Sequence, residues 1–594
     1  MTGVQINQIA PEFEVNGVQL AATWWSALLS MRIDRELNVV GRAVLRFADT
    51  GYQLSASNIF ALGATVQISV FQGGKIFKGI VTGANLEQVV GEHPELVITV
   101  DDPACKLGLS TNVVAHTNKS YADIITSMVN APLSVSIANS ALGATMHEYL
   151  LQSSTDLAFL DTIVRRTNSV WWVDDDTLNI AKPADAAAPA TKLSLGTGLR
   201  EFSVRASGLR PTKVTVNGWD PKAQTDITSA GDPPPVTATS TFADVYTGSK
   251  GGMGVNGTQT AGDGNPNDSA EAQAIASSLA TTWHSAAVVA RGTAIVNSAI
   301  GPATKIEVAN AGPSSGTYVV SAVEHVYNRT GFFTKFVAGP VRSAKLVDTL
   351  GAAVPDTGFL MSNLITATVS DTNDDQKMGR VKVTYAGAGG ALVSNWARVL
   401  SLGGGSGRGS VFIPEVKDEV LVGFERGDSR HPVVLGGLFS EKIKMAADSD
   451  VRDNNGIAYR RITSRLGHVV ELSDGTSADK QHVLLKLGNA AHKLRLGADA
   501  FAIEIAQGKP LSIKAGDAKF EIDASGNITI EGTSISLKAT KGAIGIEATT
   551  DFKAKGTASV SVEGATLDLK AKATANLEAS TGPTTVKGAP VMIN

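Results

Sequence analysis

The sequence predicts a mainly β, multidomain protein that ends in an intertwined trimeric β-helix, or β-prism. Three observations support this fold class. Short stretches of alternating apolar and polar residues recur along most of the chain. All 7 tryptophans precede residue 400, so thick cores are expected only in the first two thirds of the sequence. From Leu485 onward, apolar pairs recur about every eight residues, with few aromatic side chains among them.

Composition and charge narrow the classes of protein that the chain can represent. With 594 residues, of which 43% are hydrophobic, the chain is long enough for several domains with buried cores. A net charge of −4 gives no indication of a nucleic acid or an anionic membrane as partner. Cys105 is the only cysteine, which excludes an intrachain disulfide. The sequence begins without a secretory signal pattern and has no apolar run of ~18 residues, so we expect synthesis in the cytoplasm without a signal peptide.

The first part of the chain combines predicted strands with two predicted helices. Residues 30–100 alternate like antiparallel strands, and residues 119–129 and 153–167 have helical spacing. In the second helix, Ser154 or Thr155 can cap the first turn. The apolar residues that share one face of this helix are Leu157, Leu160, Ile163 and Val164.

A long low-complexity stretch follows at residues 221–268. It contains Pro-rich and Gly-rich runs with little periodicity, which is typical of a flexible, extended surface loop. The next helix is predicted at about 269–284, where Asp268 and Glu271 have the spacing of a capping box.

Residues 356–440 are predicted to form a small all-β barrel. Five or six short strands in roughly 80 residues are typical of the OB type of barrel. Residues 441–480 then form a neck, which is too short to hold an enzyme domain.

The repeat segment, residues 481–594, predicts an assembly of three chains. A unit of about eight residues spans one strand and a turn at ~3.3 Å per residue, so it cannot close a β-helical coil alone. Three chains would supply roughly 24 residues per coil and would also remove exposed strand edges. A flat antiparallel meander in a monomer is the alternative. The residues expected at the shared axis are Leu494, Ile503, Ile513, Phe520, Ile528, Leu537, Ile546, Val560 and Leu569.

Three segments resemble motifs of the VgrG-like central spike proteins of contractile injection systems. They read LQSSTDLAFLDTIVRR at 151–166, DTNDDQKMGRVKVTY at 371–385 and VFIPEVKDEVLVGFERGDSRHPVVLGGLF at 411–439. The hub-and-spike proteins of contractile-tailed phages resemble the chain in the same way. Lys417 stands where the family usually has glycine. The residues that match the OB motif are Gly379, Arg380, Pro414, Gly427, Asp428, Pro432 and Gly436.

The resemblance implies a domain order and a mechanical function. Residues 1–350 would be a hub of two tube-like β-barrels with an α/β insert at about 101–185. Residues 356–440 would be an OB-fold collar and residues 481–594 a triple-stranded β-helix spike. The homotrimer would adapt a sixfold tube to a threefold needle that pierces the target envelope. It would belong to a phage tail-like particle, extracellular or membrane-anchored, and would be expelled on contraction.

The resemblance also implies partners. These would be further copies of the chain, the tail tube or tube-initiator protein, baseplate proteins, a PAAR-type tip protein and the target cell envelope, with no nucleic acid. The residues expected to dock the tip protein are Pro590, Val591, Met592, Ile593 and Asn594.

No catalytic, cofactor-binding or metal-binding residues are predicted, and the chain is not expected to be an enzyme. The Gly-rich run at 403–410 lacks the Gly-Lys-Ser/Thr of a P-loop. The acidic run at 371–375 is followed by Gln376 and Lys382 where a calcium loop has glycine and glutamate. His482 and His492 are ten residues apart, unlike the His-x-His pair that binds iron in some phage spikes.

Two alternative functions remain open. The first is the hub–spike of a contractile phage tail. The second, from another class, is a trimeric tailspike hydrolase of surface polysaccharide, for which exposed aromatics and paired carboxylates on wide coils are typical. A glycan-release assay on bacterial envelopes distinguishes the hydrolase from a mechanical spike.

Overall fold

The computed structural model folds as two compact units, Met1–Met445 and Ala446–Asn594. It describes residues 10–71, 73–183, 191–208, 211–220, 225–231, 238–247, 257–261, 266–341, 363–387, 392–445, 451–453, 456–489 and 491–593.

The first unit begins with a half-barrel built around aromatic side chains. Its strands lie in the order β2-β1-β5-β6-β7-β4-β3. Alternation places Phe13, Phe47 and Trp24 in one core, with Phe47 and Trp24 packed edge to face. The elements are β1 (Pro11–Val15), β2 (Val18–Gln19), α1 (Ala22–Ala27), β3 (Leu28–Glu36), β4 (Arg42–Ala48), β5 (Thr65–Val70), β6 (Lys75–Glu87) and β7 (Glu95–Asp101).

A closed six-stranded barrel shares its sheet with the half-barrel. Going around the barrel, the strand order is β21-β20-β13-β14-β19-β22, and β22 pairs again with β21. The long strand β21 pairs with β20 along its first half and with β3 along its second half, so one strand joins both barrels. The strands are β13 (Thr191–Leu195), β14 (Gly198–Ala206), β19 (Val288–Ile295), β20 (Lys305–Ala309), β21 (Gly316–Asn328) and β22 (Gly331–Ala338).

The predicted α/β insert has its own core. Leu160, Ile163 and Val164 are buried on one face of α4, as their spacing predicts, and Thr155 rather than Ser154 caps the helix. The elements are β8 (Val114–Lys119), α2 (Tyr121–Met128), β9 (Ser134–Ile137), α3 (Ala141–Ala144), β10 (His147–Gln152), α4 (Asp156–Arg166), β11 (Val170–Asp174) and β12 (Thr177–Ala181).

A second α/β layer lies where an extended loop was expected. Within 221–268, the described residues form strands and a helix, so the loop prediction is wrong for them, and the remainder lies outside the described residues. Small and apolar side chains of α6 pack against Val214 and Val216 of β15 and Ile227 of β16, and together they form one core. The elements are β15 (Lys213–Asp220), β16 (Thr225–Gly231), β17 (Ala238–Ser240), α5 (Thr241–Thr247), β18 (Thr258–Ala261) and α6 (Ser269–Ser285).

The first unit ends in a five-stranded barrel with the strand order of an OB fold. Its sheet runs β24-β23-β28-β29-β25, with β25 parallel to β29. Bridges from Val381 to Ala397 and from Thr384 to Val393 connect the two ends of the sheet and close the barrel. The strands are β23 (Ile365–Asp371), β24 (Lys382–Tyr385), β25 (Arg398–Val399), β26 (Gly404–Gly405), β27 (Arg408–Gly409), β28 (Glu419–Phe424) and β29 (Pro432–Gly437).

The second unit is a series of antiparallel strands followed by a segment without helix or strand. One sheet has the order β32-β33-β34-β35-β36, so the expected neck and the first repeats share a sheet, and β37-β38-β39 form another. From residue 532 to residue 593, all of which are described, the backbone forms no strand pairing within the chain. The strands are β30 (Arg452–Asp453), β31 (Gly456–Ile457), β32 (Tyr459–Thr463), β33 (Val469–Asp474), β34 (Gln481–Lys486), β35 (Lys493–Gly497), β36 (Phe501–Glu504), β37 (Leu511–Ala515), β38 (Ala518–Ile522) and β39 (Ile528–Glu531).

Candidate functional site

A buried carboxylate in the first turn of α6 joins three parts of the first unit. Glu271 Oε1 accepts a hydrogen bond of 2.6 Å from Arg166 Nη2 at the end of α4 and one of 3.0 Å from Arg430 Nη1 in the OB barrel. The hydroxyl of Tyr121 in α2 donates to the same oxygen over 3.4 Å. The side chains of Arg166, Arg430 and Glu271 are 0%, 2% and 10% exposed. The group therefore connects the OB barrel to the two α/β layers of the first unit.

We name the group of Arg166, Glu271, Asp428 and Arg430 the ionic joint. Its positive and negative charges balance one another. Arg430 Nη2 also donates to Asp428 Oδ2 over 2.8 Å, which gives two guanidinium groups and two carboxylates. Burial by itself would raise the pKa of Glu271, but Arg166 and Arg430 hold that pKa well below its usual range. Burial raises the pKa of Tyr121 to about 12. Buried charges are tolerated when they are paired and hydrogen-bonded in this way.

Two histidines flank the ionic joint. The ring of His147 packs on Tyr121 with 4.0 Å between centroids, and His431 Nδ1 lies 3.8 Å from Asp428 Oδ2. Burial lowers the pKa of both imidazoles, which favours their neutral forms. Protonating either one would place a further cation near two buried arginines.

Sequence reasoning assigned Glu271 only to a helix cap. Asp268 Oδ1 does accept from the backbone N–H of Glu271 over 2.8 Å, as a capping box requires. The Glu271 carboxylate, however, accepts from the backbone N–H of Asn267 over 2.7 Å and otherwise faces the arginines. No local pattern indicates this role, because Arg430 is 159 residues away in the sequence.

The OB-motif residues occupy turns and anchors of the barrel. Asp428 and Arg430 contribute to the ionic joint, while Arg380 is buried against Asp374, with 2.7 Å between Nη2 and Oδ1. Gly379 and Gly427 have left-handed φ values of 71° and 76°. Pro432 begins β29, Gly436 lies near its end, and Pro414 lies between β27 and β28. Lys417 adopts a φ of 81°, which explains why glycine suits this turn.

A small cavity of about 220 Å³ lies beside the ionic joint. Tyr149 of β10 and Trp396 of the OB barrel contribute to its walls. The ring of Trp396 is bordered by Lys382, whose Nζ is 4.9 Å from the ring centroid, and by Arg380, whose Cζ is 5.7 Å away. The cavity therefore lies between the α/β insert and the OB barrel and is lined by both.

The second candidate is the repeat segment, whose aliphatic side chains form an exposed row. Leu494 and Phe520 are half-buried in the antiparallel sheets. Every other residue predicted for the shared axis is exposed, reaching 80% at Leu569. These exposed positions are Ile503, Ile513, Ile528, Leu537, Ile546, Val560 and Leu569.

The remaining predicted sites are placed as follows. Val591, Met592 and Ile593 are exposed beside Pro590, and Asn594 lies outside the described residues. Within the described residues, no group of three or more His, Cys, Asp or Glu side chains is arranged to hold a metal ion. His482 Nε2 lies 3.0 Å from Glu471 Oε1. No helix in the described ranges is long and apolar enough to cross a membrane.

Two family models match the chain. Residues 365–439 match the type VI secretion system/phage-baseplate injector OB domain, and residues 6–328 match the Alg8 N-terminal domain. The type VI secretion system spike protein VgrG5 of Pseudomonas aeruginosa is 36% identical over 115 residues. That match covers 19% of this chain and 14% of the relative, so the chain spans far less than two thirds of the curated relative's length.

Solved structures resemble the chain over larger parts of its length. A Francisella PdpA–VgrG complex, in its lidded form, has a TM-score of 0.50 at 9% identity and covers 89% of this chain and 81% of that chain. An E. coli component of the type VI secretion system, described as similar to T4 phage tail proteins gp27 and gp5, has a TM-score of 0.45 at 13% identity. This second likeness covers 72% of this chain and 99% of that chain.

At such low identity, the Francisella likeness shows the fold alone, and the family matches carry the assignment. The matched OB-domain family is one of structural spike and baseplate proteins and is not an enzyme family. Over residues 6–328 the chain belongs to the family of the Alg8 N-terminal domain, and with its injector-type OB domain at residues 365–439 it is similar to VgrG-like spike proteins.

Proposed function

We propose that the chain is the homotrimeric central spike of a contractile injection apparatus, in which it adapts a sixfold tube to a threefold needle. The exposed aliphatic row of the repeat segment is the observation that carries this proposal. Leu537, Ile546 and Leu569 alternate with polar residues along backbone that has no strand partner within the described chain. Such a surface is unstable in water as a single chain, and burial between copies removes the exposed side chains and edges together.

Energetics favour three intertwined copies over one extended chain. Each Leu or Ile side chain that becomes buried contributes about 1.5–3 kcal/mol. The row recurs about every eight residues, so a trimer would gain this contribution many times along its axis. The side chains at the axis are aliphatic at nearly every step, which fits a narrow shared core.

The partners follow from the same proposal. The hub would seat the tail tube or tube-initiator protein and contact baseplate proteins, and Pro590, Val591, Met592, Ile593 and Asn594 would receive a PAAR-type tip protein. The spike would pierce the target envelope when a phage tail-like particle contracts. The name of one relative supports this setting, because it is a spike protein of a type VI secretion system.

A pair of neighbouring substitutions tests the shared axis. Leu537→Asp places a charge at a predicted axial position, whereas Ser536→Asp places the same charge on the opposite face of the strand. We expect Leu537→Asp to shift the sedimentation profile of the full chain toward smaller species and Ser536→Asp to leave it unchanged. Equal sedimentation of both variants and of the unsubstituted chain would contradict the proposal.

A further inference from the structure

The OB barrel has an exposed apolar loop that contributes no side chain to the barrel's buried core. Residues 400–416, which we name the flap, expose Leu402 at 96%, Val411 at 81% and Phe412 at 62% of their surface. Arg408 is the only charged residue between Leu400 and Pro414. Monomeric soluble proteins rarely expose so many large apolar side chains on one loop, which indicates an interaction surface.

Hydrogen bonds give the flap a defined shape. The short strands β26 and β27 pair at Gly404–Gly409 and Gly405–Arg408, and the N–H of Ser410 donates to the carbonyl of Gly403 over 3.1 Å. At its base, the N–H of Leu400 donates to the carbonyl of Val434 over 2.8 Å. The apolar side chains Leu402, Val411 and Phe412 therefore flank a hydrogen-bonded hairpin, which lowers the entropic cost of docking.

The OB barrel has a second exposed apolar surface near β29. Leu364, Leu435 and Phe439 are exposed, and Gly423 lies beneath the first two of them. A Cβ atom at Gly423 would lie 3.3 Å from Leu364 Cδ2 and 3.5 Å from Leu435 Cδ1. Each barrel thus has two exposed apolar surfaces. One is the flap, and the other is formed by Leu364, Leu435 and Phe439, with Gly423 beneath the first two.

We propose that the flap docks on the OB barrel of a second copy of this chain, at the Leu364–Leu435–Phe439 surface. This inference rests on the proposed threefold assembly. Contacts around a threefold axis are head-to-tail, so they require two different surfaces on each copy, as the barrel offers. Because the repeat segment follows the OB barrel in the same chain, a shared shaft would raise the local concentration of neighbouring barrels.

The apolar character of both surfaces supports this partner. A flap whose only charged residues are Arg408 and Glu415 suits a permanent contact, since lasting homomeric interfaces are more apolar than transient ones. Closure of three equal contacts into a ring would also leave no flap exposed to a further molecule.

A photo-crosslinking experiment on the full chain tests the proposal. Benzoylphenylalanine replaces Leu402 in one variant and the exposed Val90, at the tip of the β6–β7 hairpin, in a control. After irradiation, we expect the Leu402 variant to yield a covalent two-chain product of about twice 61.6 kDa. Peptide mapping should place the crosslink near Leu364, Leu435 or Phe439, and the Val90 control should give less than a tenth of that product.

The mass of each variant in solution separates this inference from the proposed function. Suppose that the protein is a trimer but the Leu402 variant yields no two-chain product, or the Val90 variant yields as much product as the Leu402 variant. Either result overturns the flap contact and leaves the spike assignment intact. A monomer overturns both. A second variant, Phe412→Ser, should lower the crosslinking yield at least severalfold while the mass remains that of a trimer.

Discussion

At the scale of single residues, Glu271 is the side chain on which the ionic joint depends. Replacing it by Gln keeps the shape of the side chain but leaves Arg166 and Arg430 buried with one fewer countercharge. Removing one partner of a buried ion pair costs about 3–5 kcal/mol. We expect Glu271→Gln to lower the free energy of unfolding of the first unit by that amount, measured by chemical denaturation of the full chain.

A surface pair provides the matched control. Glu307 lies 3.6 Å from Lys192 across β20 and β13, and both side chains are solvent-exposed. Because exposed ion pairs contribute only about 0–1 kcal/mol, Glu307→Gln should leave the unfolding curve nearly unchanged. If both variants unfold alike, the ionic joint does not stabilise the contact between hub and OB barrel.

We expect the stability of the first unit to depend on pH because of the buried side chain of His325. The side chain is fully buried in the barrel core, and its Nδ1 lies 2.9 Å from Thr334 Oγ1. Burial, assisted by Arg35, lowers the pKa of His325 from 6.5 to about 3. Below pH 6.5 the unfolded chain therefore binds a proton that the folded chain does not, and stability should fall as the pH decreases toward 3.

This pH effect can be measured by denaturation at a series of pH values. We expect a loss on the order of a few kcal/mol across this window. His325→Asn retains a group able to form a hydrogen bond with Thr334. In this variant, the free energy of unfolding should depend less steeply on pH than in the unsubstituted protein. Substitution of the exposed His93 by Gln is the control and should keep the slope. An unchanged slope in His325→Asn would assign the pH dependence to other groups.

At the scale of elements, local sequence patterns predicted the helices better than they predicted the strands that pack against α6. The helix at 153–167 has a cap at Thr155 and an apolar face, and both signals lie within one stretch of sequence. By contrast, apart from Ile227, β16 and β18 contain only polar and small residues, so no alternation of large apolar residues marks them as strands. They become strands because α6 supplies a core from residues that lie downstream in the sequence.

The contact between α6 and β16 gives a prediction at this scale. A Cβ atom at Gly231 would lie 2.1 Å from the carbonyl oxygen of Ala276, so Gly231→Ala forces the helix away from the strand. Overpacking of this kind costs about 1–3 kcal/mol. We expect faster hydrogen exchange in α6 and a lower melting temperature. Gly436→Ala, where no atom lies within 4 Å of the added Cβ, should change neither.

At the scale of the whole molecule, the order of domains is readable from sequence because each domain has its own periodicity. Short alternating strands indicate the barrels, and the aliphatic repeat indicates the last segment. The resemblance implied two tube-like β-barrels, and the structure has one closed six-stranded barrel and one half-barrel. The ionic joint was not predictable, since Arg166, Glu271 and Arg430 meet only after three domains have packed.

Assembly of three copies is the central claim, and the mass of the purified full-length chain in solution tests it most directly. Light scattering coupled to size-exclusion chromatography gives this mass independently of shape. We predict a single species of about three times 61.6 kDa. A folded, stable monomer of 61.6 kDa would contradict the intertwined repeat and, with it, the proposed spike.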